Sequence, residues 1–396
     1  MADKKRTTPA PEVGPSSPTP ASATTPETTQ SPAAPAQSPT TAQSPTAAAA
    51  ATEPAHTSTD SDILPAQHWQ NAPIEEAEFD DDDEDADSAF GGGTDSTASL
   101  SESILNFRNL HGRTYHSDIG AAAAWTPNDE SQAESMDIHH HMCTLLLDGK
   151  LFLAPIPDDV QKVIDIGTGT GIWAIDFADT YPAANVIATD VSPVQPNWVP
   201  PNLSFEIDDA NQEWTFKDNT FDYIHLRAMF GSIADWGAFY REAFRCCKPG
   251  GYLEDHSNSV KFDSDDGSVT PDSPMGQWTK VFWEGGRKFG RSFRVVEDSL
   301  QEKGMREAGF VDIVVRDFKC PIGAWPKDKR LKELGSFAKL VLESDMEGYI
   351  LYMWSAVMGW KPDEIQVFIA HLRRQLNDKA VHAWYQHRVV YGRKPA

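Results

Sequence analysis

Val163-Ile164-Asp165-Ile166-Gly167-Thr168-Gly169-Thr170-Gly171 reads as a buried strand that ends in an acidic residue, then a glycine turn, then the start of a helix. Three glycines at alternate positions let the backbone turn sharply and come within contact distance of a ligand, because no Cβ blocks the approach or forbids positive φ. The spacing narrows the ligand. A dinucleotide-binding turn carries its third glycine three residues after the second, where this chain has Ile172. A phosphate-binding loop follows its last glycine with Lys and Ser or Thr, and Ile172-Trp173 supply neither.

Downstream segments repeat the strand pattern. Val186-Ile187-Ala188-Thr189-Asp190 predicts a second strand ending in a carboxylate, about 20 residues past the loop, where an open α/β sheet sets an acidic group against ribose hydroxyls. Leu203-Ser204-Phe205-Glu206-Ile207 predicts a third strand running into Asp208-Asp209-Ala210, and Phe221-Asp222-Tyr223-Ile224-His225 a fourth. Trp236, Phe239, Tyr240, Ala243, Phe244 and Cys247 then recur at helical spacing behind an N-cap Asp235, so those aromatics belong to a core-facing stripe. Lys248-Pro249-Gly250-Gly251 ends that helix and leads into a fifth strand at Tyr252-Leu253-Glu254. Alternating strands and helices predict a doubly wound parallel sheet, whose ligands bind beyond the carboxyl ends of the strands. Asp165, Asp190, Asp209, His225 and Glu254 all fall at or near such ends and so converge on one cleft.

Together these elements resemble the class I S-adenosylmethionine (SAM) methyltransferases, with the Asp-x-Gly-x-Gly-x-Gly string as motif I. Finer strings resemble the fungal LaeA-like, or TAM-domain, methyltransferases tied to secondary metabolism. They are Gly171-Ile172-Trp173-Ala174-Ile175-Asp176-Phe177-Ala178-Asp179, Pro196-Asn197-Trp198-Val199-Pro200-Pro201-Asn202, and His225-Leu226-Arg227 with Phe230-Gly231-Ser232-Ile233. The likeness runs from about Gly112 to the C-terminus.

The resemblance implies a Rossmann-like seven-stranded sheet with an antiparallel final strand, and SAM as cofactor. It implies that Gly167, Gly169 and Gly171 line the methionine part of SAM, that Asp165 orients the loop or the amino group, that Asp190 meets the ribose and that Asp209 meets the adenine. Thr168, Ala210 and His225 join these as cofactor-binding positions. Met136 to Ile156 resembles the family's segment before the sheet, and Gly112-Arg113-Thr114-Tyr115 with Trp125 to Glu130 its leading segment, expected to fold over the cofactor. The alanine run Ala121 to Ala124 departs from the larger residues expected there. Strands expected at Phe310 to Val315 and Ala383 to Tyr391 leave a helical insertion at about 325–380, which covers a cleft or makes a dimer contact.

Composition bounds the remainder of the 396-residue chain. Residues 1–100, rich in Ser, Thr, Pro and Ala, are expected to be a disordered tail; 101–160 an N-terminal helical lid segment; and 161–396 the SAM-binding domain. Net charge is -25, and the tail holds 3 basic against 17 acidic residues, so a phosphate backbone would be repelled and direct nucleic-acid binding is disfavoured. The acidic block Asp80 to Asp85 reads as a solvated tail, with a basic protein partner as the lesser reading. Cys143, Cys246, Cys247 and Cys320 form no CxxC pair, which fits a reducing compartment, cytoplasmic or nuclear. His139-His140-His141 face different ways on a helix, so no metal is expected. Tyr349 to Trp360 is an apolar run shorter than the ~20 residues of a spanning helix and reads as buried helix, so no membrane partner is expected.

The chemistry implied is in-line displacement at a sulfonium methyl by an acceptor oxygen, nitrogen or carbon. Tyr115, His225, Arg227, Glu254 and His256 are the polar candidates for assisting it. No Asn/Asp-Pro-Pro-Tyr/Phe string is present, which argues against methylation of adenine N6 or glutamine. Three readings stay open: an enzyme acting on a small metabolite, a LaeA-like regulator acting through protein partners with weak or no catalysis, and a protein methyltransferase.

Overall fold

The computed structural model describes residues 62–73, 106–117 and 124–396. Most of the expected tail, including the acidic block, and residues 121–123 of the alanine run lie outside the described residues. In chain order the elements are α1 (Ala66–Asn71), β1 (Arg108–Leu110), β2 (Arg113–Tyr115), α2 (Glu130–Leu146), β3 (Lys162–Ile166), α3 (Ile172–Thr180), β4 (Asn185–Asp190), β5 (Leu203–Ile207), β6 (Phe221–Arg227) and α4 (Trp236–Cys246). They continue with β7 (Cys247–Asn258), α5 (Pro274–Phe289), α6 (Leu300–Ala308), β8 (Val311–Pro321), α7 (Lys329–Ser344), α8 (Met346–Leu351), a π-helical turn Tyr352–Val357, α9 (Pro362–Asn377) and β9 (Trp384–Arg393).

Seven strands form one sheet in the order β5-β4-β3-β6-β7-β9-β8. The first five pair in parallel, and β9 runs antiparallel to both β7 and β8. The order reverses between β3 and β6, and the register sets Asp165 beside His225 and His225 beside Glu254. Alternation along the strands sorts side chains to two faces. Val163, Val186 and Tyr223 join Trp173 and Phe177 of α3 in one apolar layer, while Ile164, Ile224 and Leu253 join α4, α5 and the later helices in the other.

α4 starts on Asp235, whose carboxylate accepts from the Ala238 N–H at 2.9 Å, and it buries Trp236, Phe239, Tyr240 and Ala243 of the expected stripe. Phe244 is half-buried and Cys247 already belongs to β7, leaving Cys246 as the last buried helical position. The insertion expected at 325–380 is helical, comprising α7, α8, the π turn and α9, and it packs on α2, α5 and α1. The run Tyr349 to Trp360 lies in it as buried helix around Met353 and Trp354. No helix among the described residues is long and apolar enough to cross a membrane.

Residues 62–73 correct the tail boundary. α1 seats Trp69 edge-on against Phe368 at 5.2 Å between ring centres, its carbonyl bonds His371 Nε2 at 2.9 Å, and the Leu64 N–H reaches Gln277 Oε1 at 2.6 Å. One tryptophan at 3 % exposure supplies most of the apolar burial that a six-residue helix needs to dock. Trp69→Ala should therefore lower unfolding free energy by about 3 kcal/mol, whereas deletion of residues 1–61 should leave the melting temperature within a few degrees. Urea titration of both proteins checks this, and a Trp69→Ala curve superimposed on the parent's would refute the docking.

Candidate functional site

The glycine turn begins where β3 leaves the sheet. Gly169 has φ 60°, a backbone conformation that strains any side chain, and Met136 Cε lies 2.0 Å from where a Cβ would stand, so the methionine end would also have to move aside. Gly171, at φ 82°, caps α3 and faces Phe205, whose Cζ would stand 2.4 Å from a Cβ. Gly167 and Gly169 border the cavity, whereas Gly171 serves the turn and its packing.

Asp165 holds this turn from beneath. Its Oδ2 accepts from Thr168 Oγ at 2.6 Å and its Oδ1 from His225 Nδ1 at 2.7 Å. The His225 ring lies flat on Trp173, with centres 3.7 Å apart and planes within 4°. Burial lowers the His225 pKa against the pull of Asp165, so the imidazole is neutral and donates through Nδ1.

At the end of β4, Asp190 accepts from the Gly169 N–H through Oδ2 and from the Ser192 N–H through Oδ1, each at 2.9 Å. Burial nevertheless pushes its pKa up to about 6. Past β5, Asp209 Oδ1 accepts from the Asn211 N–H at 2.9 Å and from Asn211 Nδ2 at 3.1 Å. Asp165, Asp190, Asp209 and Ala210 all line one cavity of about 290 Å³, together with Gly167, Thr168 and Gly169. The cavity continues past Met229 into an aromatic chamber that includes Trp125, Phe230, Trp278, Phe282, Tyr349 and Tyr385.

Of the five candidates for acid–base work, His225 and Arg227 border the cavity and the other three do not. Tyr115 packs on Tyr352, 5.7 Å between ring centres, and burial raises its phenol pKa. The hairpin that carries it is fixed by Arg113, which bridges Asp129 and Asp345, the N-caps of α2 and α8. That leading segment therefore braces two helices, and only Trp125 to Asp129 reach the cavity. Glu254, on the same face of the sheet as Asp165 and His225, accepts from the Leu153 and Ala154 N–H groups instead. His256 bonds His387 at 3.1 Å behind the chamber wall.

Residues outside the expected site also reach the cavity: Met136, His139, Asn258, Tyr349 and Tyr385. Tyr349 OH meets Ser135 Oγ at 2.8 Å across 214 positions of sequence, a contact no local pattern encodes. His139 stood out in the sequence only within the His139-His140-His141 run, whereas the structure sets its Nε2 3.6 Å from Sγ of Cys143, four residues on along α2.

Glu254 generates a pH prediction. Burial raises its pKa to about 8, above the unfolded value near 4.3, so the native state binds the extra proton between those pH values. Its contribution is full below about pH 4 and is lost as pH rises through about 8. Glu254→Gln should flatten the decline in melting temperature between pH 5 and 8, as read by calorimetry across that range. An unchanged slope would assign the decline to other groups.

Comparison with known proteins accords with this geometry. The methyltransferase-domain family matches residues 138–313. The methyltransferase pytC of Aspergillus terreus is 37% identical over 304 residues, covering 76% of this chain and 93% of that protein. The probable methyltransferase tdiE of Emericella nidulans is 34% identical, covering 67% of this chain and 82% of its own. The secondary metabolism regulator LAE1 of Cochliobolus heterostrophus is 30% identical, covering 72% and 94%. The parallel sheet, the glycine turn after β3 and these relatives make the chain a member of the LaeA-like class I methyltransferases, enzymes that take their methyl group from SAM.

Proposed function

We propose that this protein methylates a small, largely apolar metabolite of fungal secondary metabolism, held in the aromatic chamber beside the glycine turn. The chamber's construction carries this reading. Trp278, Phe282 and Tyr385 line it from the main fold, and Val341, Leu342 and Tyr349 from the helical insertion. Apolar, aromatic walls with few polar groups suit a small ring-bearing molecule. A side chain still attached to a protein backbone needs an open groove instead.

The residues present suit SAM. Gly167 and Gly169 bring backbone to the cavity at positive φ, with Met229 and Met136 packed over the places where a Cβ would stand. In this reading Gly167, Thr168 and Gly169 hold the methionine end, Asp190 the ribose, and Asp209 with Ala210 the adenine. Bound there, SAM supplies a sulfonium-activated methyl group.

The chain's own contribution is position. Chamber walls hold the acceptor against the donor, and such alignment is worth up to ~7–11 kcal/mol. Of the two polar candidates at the cavity, only His225 keeps a nitrogen, Nε2, able to accept a proton. Arg227 is a guanidinium, a donor without an acceptor, and His225 commits Nδ1 to Asp165 and its ring face to Trp173, which positions the turn. An acceptor that ionises readily, such as a phenol or enol, needs no dedicated base.

Methyl-labelled SAM, supplied to the purified protein with a fungal metabolite extract or with a protein fraction, should label the metabolites. Label confined to protein would overturn the reading. Leu342→Trp, which fills the chamber, should raise KM for the labelled acceptor at least tenfold and leave SAM affinity within twofold.

Asp190 tests the donor half. Asp190→Ala should weaken both SAM and S-adenosylhomocysteine by about 1.5–3 kcal/mol, the range for hydrogen bonds to a charged group. The two ligands share the ribose, so calorimetric titration of each should show equal losses. A loss confined to SAM would point to attraction of the sulfonium charge, and no loss would remove Asp190 from the ribose site.

A further inference from the structure

Behind the chamber, three elements bring nitrogen and sulfur donors to one buried point. Cys143 comes from α2, His256 from β7 and His387 from β9, and one donor atom of each lies within 4.8 Å of the others. His139, one turn before Cys143, sets Nε2 3.6 Å from Sγ and stacks near His387, 6.1 Å between ring centres. His256 Nε2 and His387 Nδ1 face each other at 3.1 Å, and the second nitrogen of His387, a side chain only 1 % exposed, has no partner.

We propose that Cys143, His139, His256 and His387 form a structural binding site for a zinc-type divalent ion. Zn–S bonds of about 2.3 Å and Zn–N bonds of about 2.0–2.1 Å give a tetrahedron with S···N edges of about 3.6 Å and N···N edges of about 3.4 Å. The Cys143–His139 and His256–His387 separations, 3.6 and 3.1 Å, already approximate two such edges. Bringing Cys143, His256 and His387 onto one ion needs an inward shift of about 1 Å from separations of up to 4.8 Å, and His139 joins through its place one turn before Cys143 on α2. An ion there takes His256 Nε2 and His387 Nδ1 in place of the hydrogen bond between them, their shared proton moving to a distal ring nitrogen such as the unpartnered Nε2 of His387, and it replaces the thiol proton, which leaves with the solvent.

Four protein donors leave no open position, the pattern of structural rather than catalytic zinc. The ion therefore pins α2 to the β7–β9 pair. α2 also carries Met136, which covers Gly169, so the clamp steadies one wall of the cavity. His139 borders that cavity and provides the way in. The surroundings favour a soft ion, since Met142 Sδ meets Cys320 Sγ at 3.6 Å and Tyr385 OH at 3.7 Å in the adjoining shell. Arg227, whose guanidinium bonds His140 Nδ1 at 3.1 Å, is the opposing charge nearby and limits the affinity.

Cobalt(II) and zinc(II) titrations of the chelator-treated full chain test this. Wild-type protein should take up one Co(II) with a thiolate-to-cobalt charge-transfer band and the strong visible absorption of a four-coordinate ion. Zn(II) should displace it and raise the melting temperature. Cys143→Ser should abolish the charge-transfer band, and His387→Ala should weaken Zn(II) at least tenfold in competition with a chromophoric chelator. His141→Ala, on the exposed side of α2 against Phe337, should bind like wild type. Absence of the band in wild-type protein overturns the site whether or not the variants fold, and so does Zn(II) affinity unchanged in both ligand variants.

Discussion

One buried carboxylate organises the donor half of this enzyme. Asp165 sits at the centre of the sheet, 3 % exposed, and each of its oxygens fixes a different element: Oδ2 the glycine turn through Thr168, Oδ1 strand β6 through His225. His225 passes the constraint on by lying flat against Trp173 of α3. A neutral imidazole donating to a carboxylate forms a charge-assisted bond without adding a second buried charge. Turn, neighbouring strand and following helix are thereby set before any ligand arrives. Removing either partner would leave a buried polar group unpaired, a cost that exceeds the bond's own net contribution.

A second polar hub closes the other side. Arg113 reaches two helix N-caps, Asp129 of α2 and Asp345 of α8, while both carboxylates also accept N–H groups at their helix starts. Each cap thus meets the positive end of a helix dipole and a guanidinium together. Hydrogen bonds and charge from the two carboxylates outweigh desolvation and raise the Arg113 pKa further. The β1–β2 hairpin becomes a brace between α2 and the insertion, which is why Tyr115 ends against Tyr352 rather than over the donor.

What the sequence displayed was whatever is local. The strand endings Asp165 and Asp190, the glycine spacing and the stripe of α4 rest on period and on neighbours within one turn or strand, and the sheet they predict is the one observed. The role expected of Glu254 failed for a geometric reason: β7 places it beside His225 in register, yet its carboxylate turns to the Leu153 and Ala154 backbone. α1 was hidden because composition over a hundred residues averages away a single Trp69 that docks 302 positions from His371. The chamber was hidden likewise, since its walls come from α5, the insertion and β9 and meet only after the chain is folded.

Division of labour follows from that difference. Donor-side groups hang on β3, β4 and β5, adjacent strands whose backbone bonds fix them with little freedom. Of the chamber walls, Val341, Leu342 and Tyr349 lie on helices placed between the last two strands, where changes of length and side chain leave the sheet intact, while Trp278 and Phe282 lie on α5 and Tyr385 on β9. The π turn at Tyr352–Val357 belongs to this half: one wide turn inside an apolar run buries Met353 and Trp354 while the preceding helix presents Tyr349 to the chamber. Ser135 of α2 then ties the insertion down by donating to the Val341 carbonyl at 2.8 Å and meeting Tyr349 OH at the same distance. On the proposed function, substitution at Val341, Leu342 and Tyr349 reshapes the acceptor chamber without disturbing Asp165, Asp190 or the glycine turn, because the two halves share a cavity and few covalent neighbours.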